Sequence, residues 1–311
     1  MVLENMHDVM KCLQARAALM HKVRDYFFRH QVMEVDVPAL SKYTVTDVHL
    51  GGLPVSVNGA QHFLQTSPEY YMKQLLAKGS GSIFNLAKAY RADEVGKKHQ
   101  PEFTMLEWYR VGFDDSALMT DLELLLQALG CKSVVERVAY RDVFMRYTGI
   151  NPMIADLAEL SCYAQKNLGV SWDDDSVNTW LDVIFSLCVE PNLCAPTIVY
   201  DFPAQQCALA KLAKNTQGEK VAKRFELYWQ GIELANGYWE LTCPIEQRQR
   251  FECDNYLRVQ KGLPEIPINP DLMAALDSGL PECAGVALGV DRLLMCLLDV
   301  DDIRNVSVFN Y

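Results

Sequence analysis

Two strand-forming runs split by a polar loop constrain this chain more than any other segment. Ile83 to Arg91 and Phe103 to Val111 carry the aliphatic and aromatic residues of long strands, while residues 92–101 between them are mostly polar and charged. Around this pair the pattern is helical. Val9, Leu13, Ala17, Met20, Val23 and Phe27 recur at helical spacing and predict a helix over residues 6–29, followed by a strand from Val32 to Pro38. Residues 62–66 read as a short strand, and Ser67-Pro68-Glu69-Tyr70 as a capping pattern that opens a helix to about Lys78. Residues 115–195 are helix-rich, acidic at Asp173 to Asp175, and read as a helical insertion in a single domain spanning 1–311. Strands return at 197–200 and 225–234, then a polar helix over 246–261, a short helix, and a glycine-bearing strand at 285–289. Long antiparallel strands with flanking helices predict an α+β fold, not an alternating βαβ one.

Composition narrows the function classes. No run approaches the roughly 20 apolar residues of a membrane span, and the N-terminal residues lack a basic-then-apolar signal plan, so a cytoplasmic protein is expected. The ten cysteines include no Cys-x-x-Cys pair, which predicts reduced thiols. A formal net charge of −11 disfavours generic nucleic-acid binding and suits a basic protein partner or a cationic small substrate. The common phosphate loops, G-x-x-x-x-G-K-[ST] and G-x-G-x-x-G after a strand, are absent. Lys78-Gly-Ser-Gly-Ser82 reads as a turn.

Three constellations carry chemistry. Gly285-Val-Ala287-Leu-Gly289-Val-Asp-Arg292 is a small-residue strand that delivers an arginine at the start of a helix, a plan suited to holding a phosphate. Asn236-Gly237 between strand formers predicts a two-residue hairpin, which would set Glu233 opposite Glu240 and call for a divalent cation, Mg²⁺, between them. Alternation places Phe103, Met105, Glu107 and Tyr109 on one strand face, an acid beside a phenol that fits an ammonium pocket. Arg91 emerges beside a loop with Lys97, Lys98 and His99, well placed to close over a polyphosphate.

Together these segments resemble the class II aminoacyl-tRNA synthetase catalytic domain over essentially the whole chain. Val35-Asp-Val-Pro38 resembles motif 1, Arg91 to Arg110 motif 2, and Gly285 to Arg292 motif 3. His99-Gln-Pro-Glu-Phe-Thr-Met-Leu-Glu-Trp-Tyr109 and Glu233-Leu-Ala-Asn-Gly-Tyr-Trp-Glu-Leu241 are similar to lysyl-tRNA synthetase signatures. Motif 1 arrives too early to leave room for an anticodon-binding domain. That layout, with Thr44-Val-Thr-Asp47 and Ala287 where synthetases carry glycine, resembles the paralogous ligases that modify elongation factor P.

The resemblance implies a two-step reaction. (R)-β-Lysine is activated by ATP as an adenylate, and the acyl group then passes to a lysine ε-amine of elongation factor P. It assigns Arg91 and Arg292 to catalysis at the ATP phosphates, with Ala92, Asp93, Gln100, Glu233, Leu234 and Gly289 around the nucleotide. Ser67, Pro68, Glu69, Glu107, Tyr109, Glu240 and Ala287 hold the amino acid; Glu233 and Glu240 bind Mg²⁺. A homodimer through motif 1 is implied, and no tRNA or membrane partner. Three departures stand out: Ala92-Asp93-Glu94 follows Arg91 where the family has Asn-Glu, so Asp93 or Glu94 fills the acid's role; Gln100 replaces asparagine; and Cys243 replaces an aspartate. Two other readings remain: a truncated lysyl-tRNA synthetase-like enzyme using α-lysine, and a non-catalytic paralogue serving as a binding subunit.

Overall fold

A computed structural model describes residues 6–92, 95–171 and 176–309. Asp93 and Glu94, the two candidates for the motif 2 acid, and the acidic run 173–175 lie outside the described residues. The chain packs as two compact units, one formed by 1–131 with 240–311, the other by 132–239.

The first unit opens with helix α1 (Met6–Arg29), then β1 (Met33–Glu34), β2 (Leu40–Ser41), β3 (Leu53–Val57), β4 (Ala60–Leu64), α2 (Glu69–Ala77), β5 (Ile83–Tyr90), β6 (Glu102–Val111) and α3 (Asp115–Leu129). The second unit holds β7 (Glu136–Ala139), α4 (Tyr140–Thr148), α5 (Leu157–Leu168), α6 (Val177–Ile184), β8 (Thr197–Pro203), β9 (Leu212–Lys214), β10 (Lys220–Trp229) and β11 (Ile232–Trp239). The chain returns to the first unit with α7 (Pro244–Gln260), α8 (Pro270–Gly279), β12 (Cys283–Gly289) and α9 (Val290–Leu298). The fold is α+β, as expected.

In the first unit β5, β6 and β12 are antiparallel neighbours, with β1 parallel to β5. A smaller sheet runs β2-β4-β3. Thr104 to Tyr109 of β6 are all buried, as a strand covered on both faces must be. One face meets α1, where Phe27 stacks on Phe84 at 4.5 Å. There Asp121 of α3 accepts from the Tyr26 hydroxyl at 2.7 Å and from the Trp108 indole at 3.2 Å, which ties α1, α3 and β6 together. The other face carries Glu107 and Tyr109.

Four expectations need correction. Residues 115–195 are not one helical insertion: α3 belongs to the first unit, and the second unit begins with a strand, β7, that pairs in parallel with β8. The strand expected over 32–38 is confined to Met33–Glu34. Helix α2 has Pro68 at its N-cap with no side-chain cap, so Ser67 does not cap it.

The fourth is the hairpin. Asn236-Gly237 lies inside the continuous strand β11; the turn is at Gln230-Gly231, whose φ values of 55° and 65° suit a two-residue turn with both central residues left-handed. Gly237 serves packing instead: a Cβ there would come within 2.4 Å of the Phe225 ring across the pair. Asn236 accepts from the Arg224 guanidinium at 3.3 Å. Glu233 therefore sits beside Tyr228 in register, and Glu233 and Glu240 are not a cross-strand pair.

Candidate active site

The first unit assembles a buried carboxylate cluster from four separate pieces of chain. Antiparallel register sets Gly285, Ala287 and Gly289 of β12 opposite Tyr109, Glu107 and Met105 of β6, so the small residues and the polar ones share one face. The Tyr109 ring fills the space over Gly285; a Cβ at 285 would lie 2.3 Å from that ring and 2.8 Å from Glu240 Oε1. Glu240 is held from the other side by its backbone N–H, which donates to the Cys283 carbonyl at 3.0 Å. Helix α2 contributes Glu69 in its first turn and Lys73 one turn later.

These groups are almost dry: Glu107, Glu240 and Lys73 are 3%, 1% and 2% exposed. The Tyr109 hydroxyl donates to Glu107 Oε1 at 2.7 Å. The Lys73 ammonium lies 2.7 Å from Glu69 Oε1 and 2.8 Å from Glu240 Oε2. Burial pushes Glu107 up to about 8, with Glu69 adding to the rise. Burial likewise pushes Glu240 up to about 7, against the pull of Lys73. Burial works against the charge on Lys73, but Glu240 and Glu69 outweigh it and raise its pKa. Glu107 Oε2 is buried without a hydrogen-bond donor among the described residues, whereas Glu240 Oε2 has Lys73. A buried carboxylate oxygen left in that state is costly, and a cationic N–H donor would satisfy it.

A second cluster, with Arg91 and Arg292, is built around the loop after β5. The Arg91 backbone N–H donates to the Pro101 carbonyl at 2.9 Å and closes the loop, while its guanidinium stacks over Phe103 at 5.1 Å. Arg292, in the first turn of α9, donates through Nε to the Lys98 carbonyl at 3.1 Å. Asp291, its neighbour, accepts from the Thr104 backbone N–H at 2.6 Å and from Arg16 of α1. The start of α9 is thereby anchored to β6 and α1. Ala92 and Gln100 are half-buried at opposite ends of the same loop.

Glu69, Glu107, Tyr109, Glu240 and Ala287 thus belong to one pocket-bearing unit, with Arg91, Gln100, Gly289 and Arg292 on the elements beside it. Ser67 and Pro68 lead into α2, where the Pro68 carbonyl accepts from the Tyr71 and Met72 N–H groups. Glu233 and Leu234 lie in the second unit, Glu233 half-buried and Leu234 fully buried. Glu240 has a lysine partner, so its reading as a metal ligand loses the geometry on which it stood. Sequence reasoning missed Lys73, Asp291 and the packing role of Gly285. A lysine four residues after Glu69 was the available signal for the first, but an i, i+4 pair reads as a surface salt bridge until burial is known.

Residues 2–311 match the family described as tRNA synthetases class II (D, K and N). The chain belongs to this family. Among its relatives are an elongation factor P–(R)-β-lysine ligase of Vibrio cholerae, 47% identical over 96% of this chain and 95% of that protein. Another of the same name, from Sodalis glossinidius, is 46% identical over 96% of the chain and 94% of the relative. A third, from Mannheimia succiniciproducens, is 44% identical over 96% and 94%. Within this class II family, the motif 2 and motif 3 resemblances fall on the loop-closing Arg91 and on Arg292 at the start of α9.

Proposed function

We propose that this protein is an ATP-dependent ligase that joins (R)-β-lysine to a lysine side chain of elongation factor P. The observation that carries the reading is the buried cluster of Glu69, Glu107 and Glu240, three acids against the single Lys73 cation, with Glu107 Oε2 lacking a donor among the described residues. Such a pocket fits the ammonium groups of a diamino acid. The relatives' names supply the acyl acceptor.

In the first step a carboxylate oxygen of the substrate attacks the α-phosphorus of ATP, and pyrophosphate leaves. In the second, the lysine ε-amine attacks the adenylate carbonyl, AMP leaves, and an amide forms. The protein supplies no nucleophile. Its pocket carboxylates and Tyr109 orient the amino acid, while Arg91 and Arg292 offset the negative charge of the phosphates. Stacking of Arg91 on Phe103 fixes its plane before ATP arrives. Ala287, directly opposite Glu107, narrows the amino-acid site by about one carbon relative to glycine, a difference worth roughly 1–3 kcal/mol of discrimination.

Among the described residues no group of three histidine, cysteine or acidic side chains forms a metal cage. Mg²⁺ commonly binds through one or two carboxylates and the substrate's phosphates. We assign it to ATP with Glu233 as the protein ligand, where it would offset phosphate charge. Asp93, Gln100, Leu234 and Gly289 are assigned around the nucleotide, and Ser67 and Pro68 around the amino acid. Exposed Phe28 and Met33 at the end of α1 and in β1 support a homodimer through motif 1. No helix among the described residues is long and apolar enough to cross a membrane. A cytoplasmic location and independence from tRNA complete the proposal.

Mass spectrometry of elongation factor P incubated with the protein, ATP and each lysine isomer tests the reading. A mass gain of one lysyl unit with (R)-β-lysine is expected, and none with α-lysine at equal concentration. Preferential transfer of α-lysine would overturn the substrate, and no transfer of any isomer the activity. Arg292→Ala should lower ATP–pyrophosphate exchange by at least about 10³-fold while leaving the thermal transition in place.

A further inference from the structure

Lys73 is an unusual residue to find where it is. It occupies the inward face of α2, is as buried as the core residues Met72 and Leu76 beside it, and presents its ammonium to two carboxylates at once. One is Glu69 on its own helix, at 2.7 Å; the other is Glu240, at 2.8 Å, brought in by the chain entering α7. A surface i, i+4 pair would contribute little and stay solvated. A fully buried lysine cannot be that, because it is kept charged only by the acids around it.

The charged groups facing this space are Glu69 and Lys73 from α2, Glu107 from β6 and Glu240 before α7. Tyr109 adds a hydroxyl, and β12 adds only Gly285 and Ala287, without charge. Three carboxylates with no counter-charge could not all ionise in a dry pocket; one would take up a proton. Lys73 satisfies one equivalent of negative charge from within, through Glu69 Oε1 and Glu240 Oε2, and leaves Glu107 Oε2 open to a donor.

We propose that Lys73 is a built-in counter-ion of the amino-acid pocket, cancelling one of its three carboxylate charges so that two remain for a substrate with two ammonium groups. It is a positioning and specificity-determining residue, since it acts through Glu69 and Glu240. The proposal rests on the diamino-acid reading above and deepens it. Without Lys73, Glu69 and Glu240 repel, one of them holds a proton, and the pocket better suits a substrate with a single ammonium. The lysine also fixes the rotamers of two acids that would otherwise splay apart.

ATP–pyrophosphate exchange on the full-length protein tests this. Wild-type exchange is measured first with (R)-β-lysine, with other diamino acids, and with 3-aminohexanoate, which lacks the second ammonium. Lys73→Ala is expected to raise the KM for (R)-β-lysine at least about tenfold, the scale of a lost charge-assisted contact, with the KM for ATP within about twofold. Preference for (R)-β-lysine over 3-aminohexanoate should shrink by a similar factor. The variant's KM should fall as pH rises from 6 to 9, as the extra proton leaves. Added propylammonium, the part of the side chain removed, should restore the KM in part, and propanol should not. A KM for (R)-β-lysine that is unchanged, or that rises without amine rescue and without loss of preference, would overturn the counter-ion role. If Lys73→Ala does not fold, Lys73→Arg, which keeps the charge, must hold the KM within about threefold of wild type and Lys73→Met must not; the reverse order overturns the proposal. A wild type that activates no diamino acid would instead sink the functional reading itself.

Discussion

Each unit of this protein contains a buried glutamate bonded by a tyrosine two residues later on the same strand. In the first unit it is Glu107 with Tyr109 on β6; in the second it is Glu226 with Tyr228 on β10. Both strands also face a cross-strand glycine under an aromatic ring, Gly285 under Tyr109 and Gly237 under Phe225. The difference lies two residues upstream. Arg224 precedes Glu226 and bonds its other oxygen, while also donating to the Gln206 carbonyl at 3.1 Å and stacking on Phe202. Met105 occupies the matching place before Glu107, and Glu107 Oε2 has no donor among the described residues. One acid is closed within the scaffold and stabilises it; the other is left open at an energetic cost that a cationic ligand can offset.

The largest expected effect comes from breaking the closed pair. Arg224→Met leaves Glu226 buried with no cation, which should cost about 3–5 kcal/mol of stability. Chemical denaturation would read it as a lowered midpoint, and a fall below about 1 kcal/mol would show that Glu226 is not dependent on Arg224.

An amide swap at the open acid should act on binding instead. Glu107→Gln is expected to weaken (R)-β-lysine binding by about 1.5–3 kcal/mol, read by calorimetry. Stability at pH 8 should be unchanged or slightly higher, since the swap removes a buried charge. Equal losses of stability in Glu107→Gln and Arg224→Met would erase the distinction between the two regions.

A pH series sharpens the contrast further. Burial raises Glu107 from an ordinary 4.5 to about 8, so the ligand-free folded state holds this proton more tightly than the unfolded chain. Its stabilising contribution is complete below about pH 4.5 and is lost as pH rises through 8. Ligand-free wild type should therefore lose stability across that window relative to Glu107→Gln, while (R)-β-lysine affinity climbs with pH as the carboxylate forms. Parallel pH–stability curves for the two proteins would show that Glu107 is already ionised at neutral pH.

The smallest change probes the wall beside the open acid. Ala287→Gly should shift the ratio of kcat/KM for (R)-β-lysine over α-lysine toward α-lysine by about tenfold, within the range of a single carbon in a binding pocket. An unchanged ratio would move the discrimination away from β12.

Much of this was legible in the residues. Alternation along Phe103–Tyr109 put Glu107 and Tyr109 on one face, and the register of β6 with β12 bears that out. Arg91 and Arg292 were recognisable because strand ends and helix starts have local signatures. Asn236-Gly237 misled because the local preference for a turn was overridden by packing: Gly237 is required by the Phe225 ring, and the turn fell to Gln230-Gly231, a weaker turn signal. Lys73 stayed hidden because its partner Glu240 is 167 residues away in sequence.

The sequence by itself determined most of the strands and helices, the family, and which residues carry charge, since these depend on local pattern and on residues shared along the whole chain. Only the tertiary structure decided which acids are satisfied. Whether a carboxylate stabilises a scaffold or waits for a cation depends on the donors that distant segments bring within about 3 Å and on the water they exclude. No spacing in the chain encodes that distance.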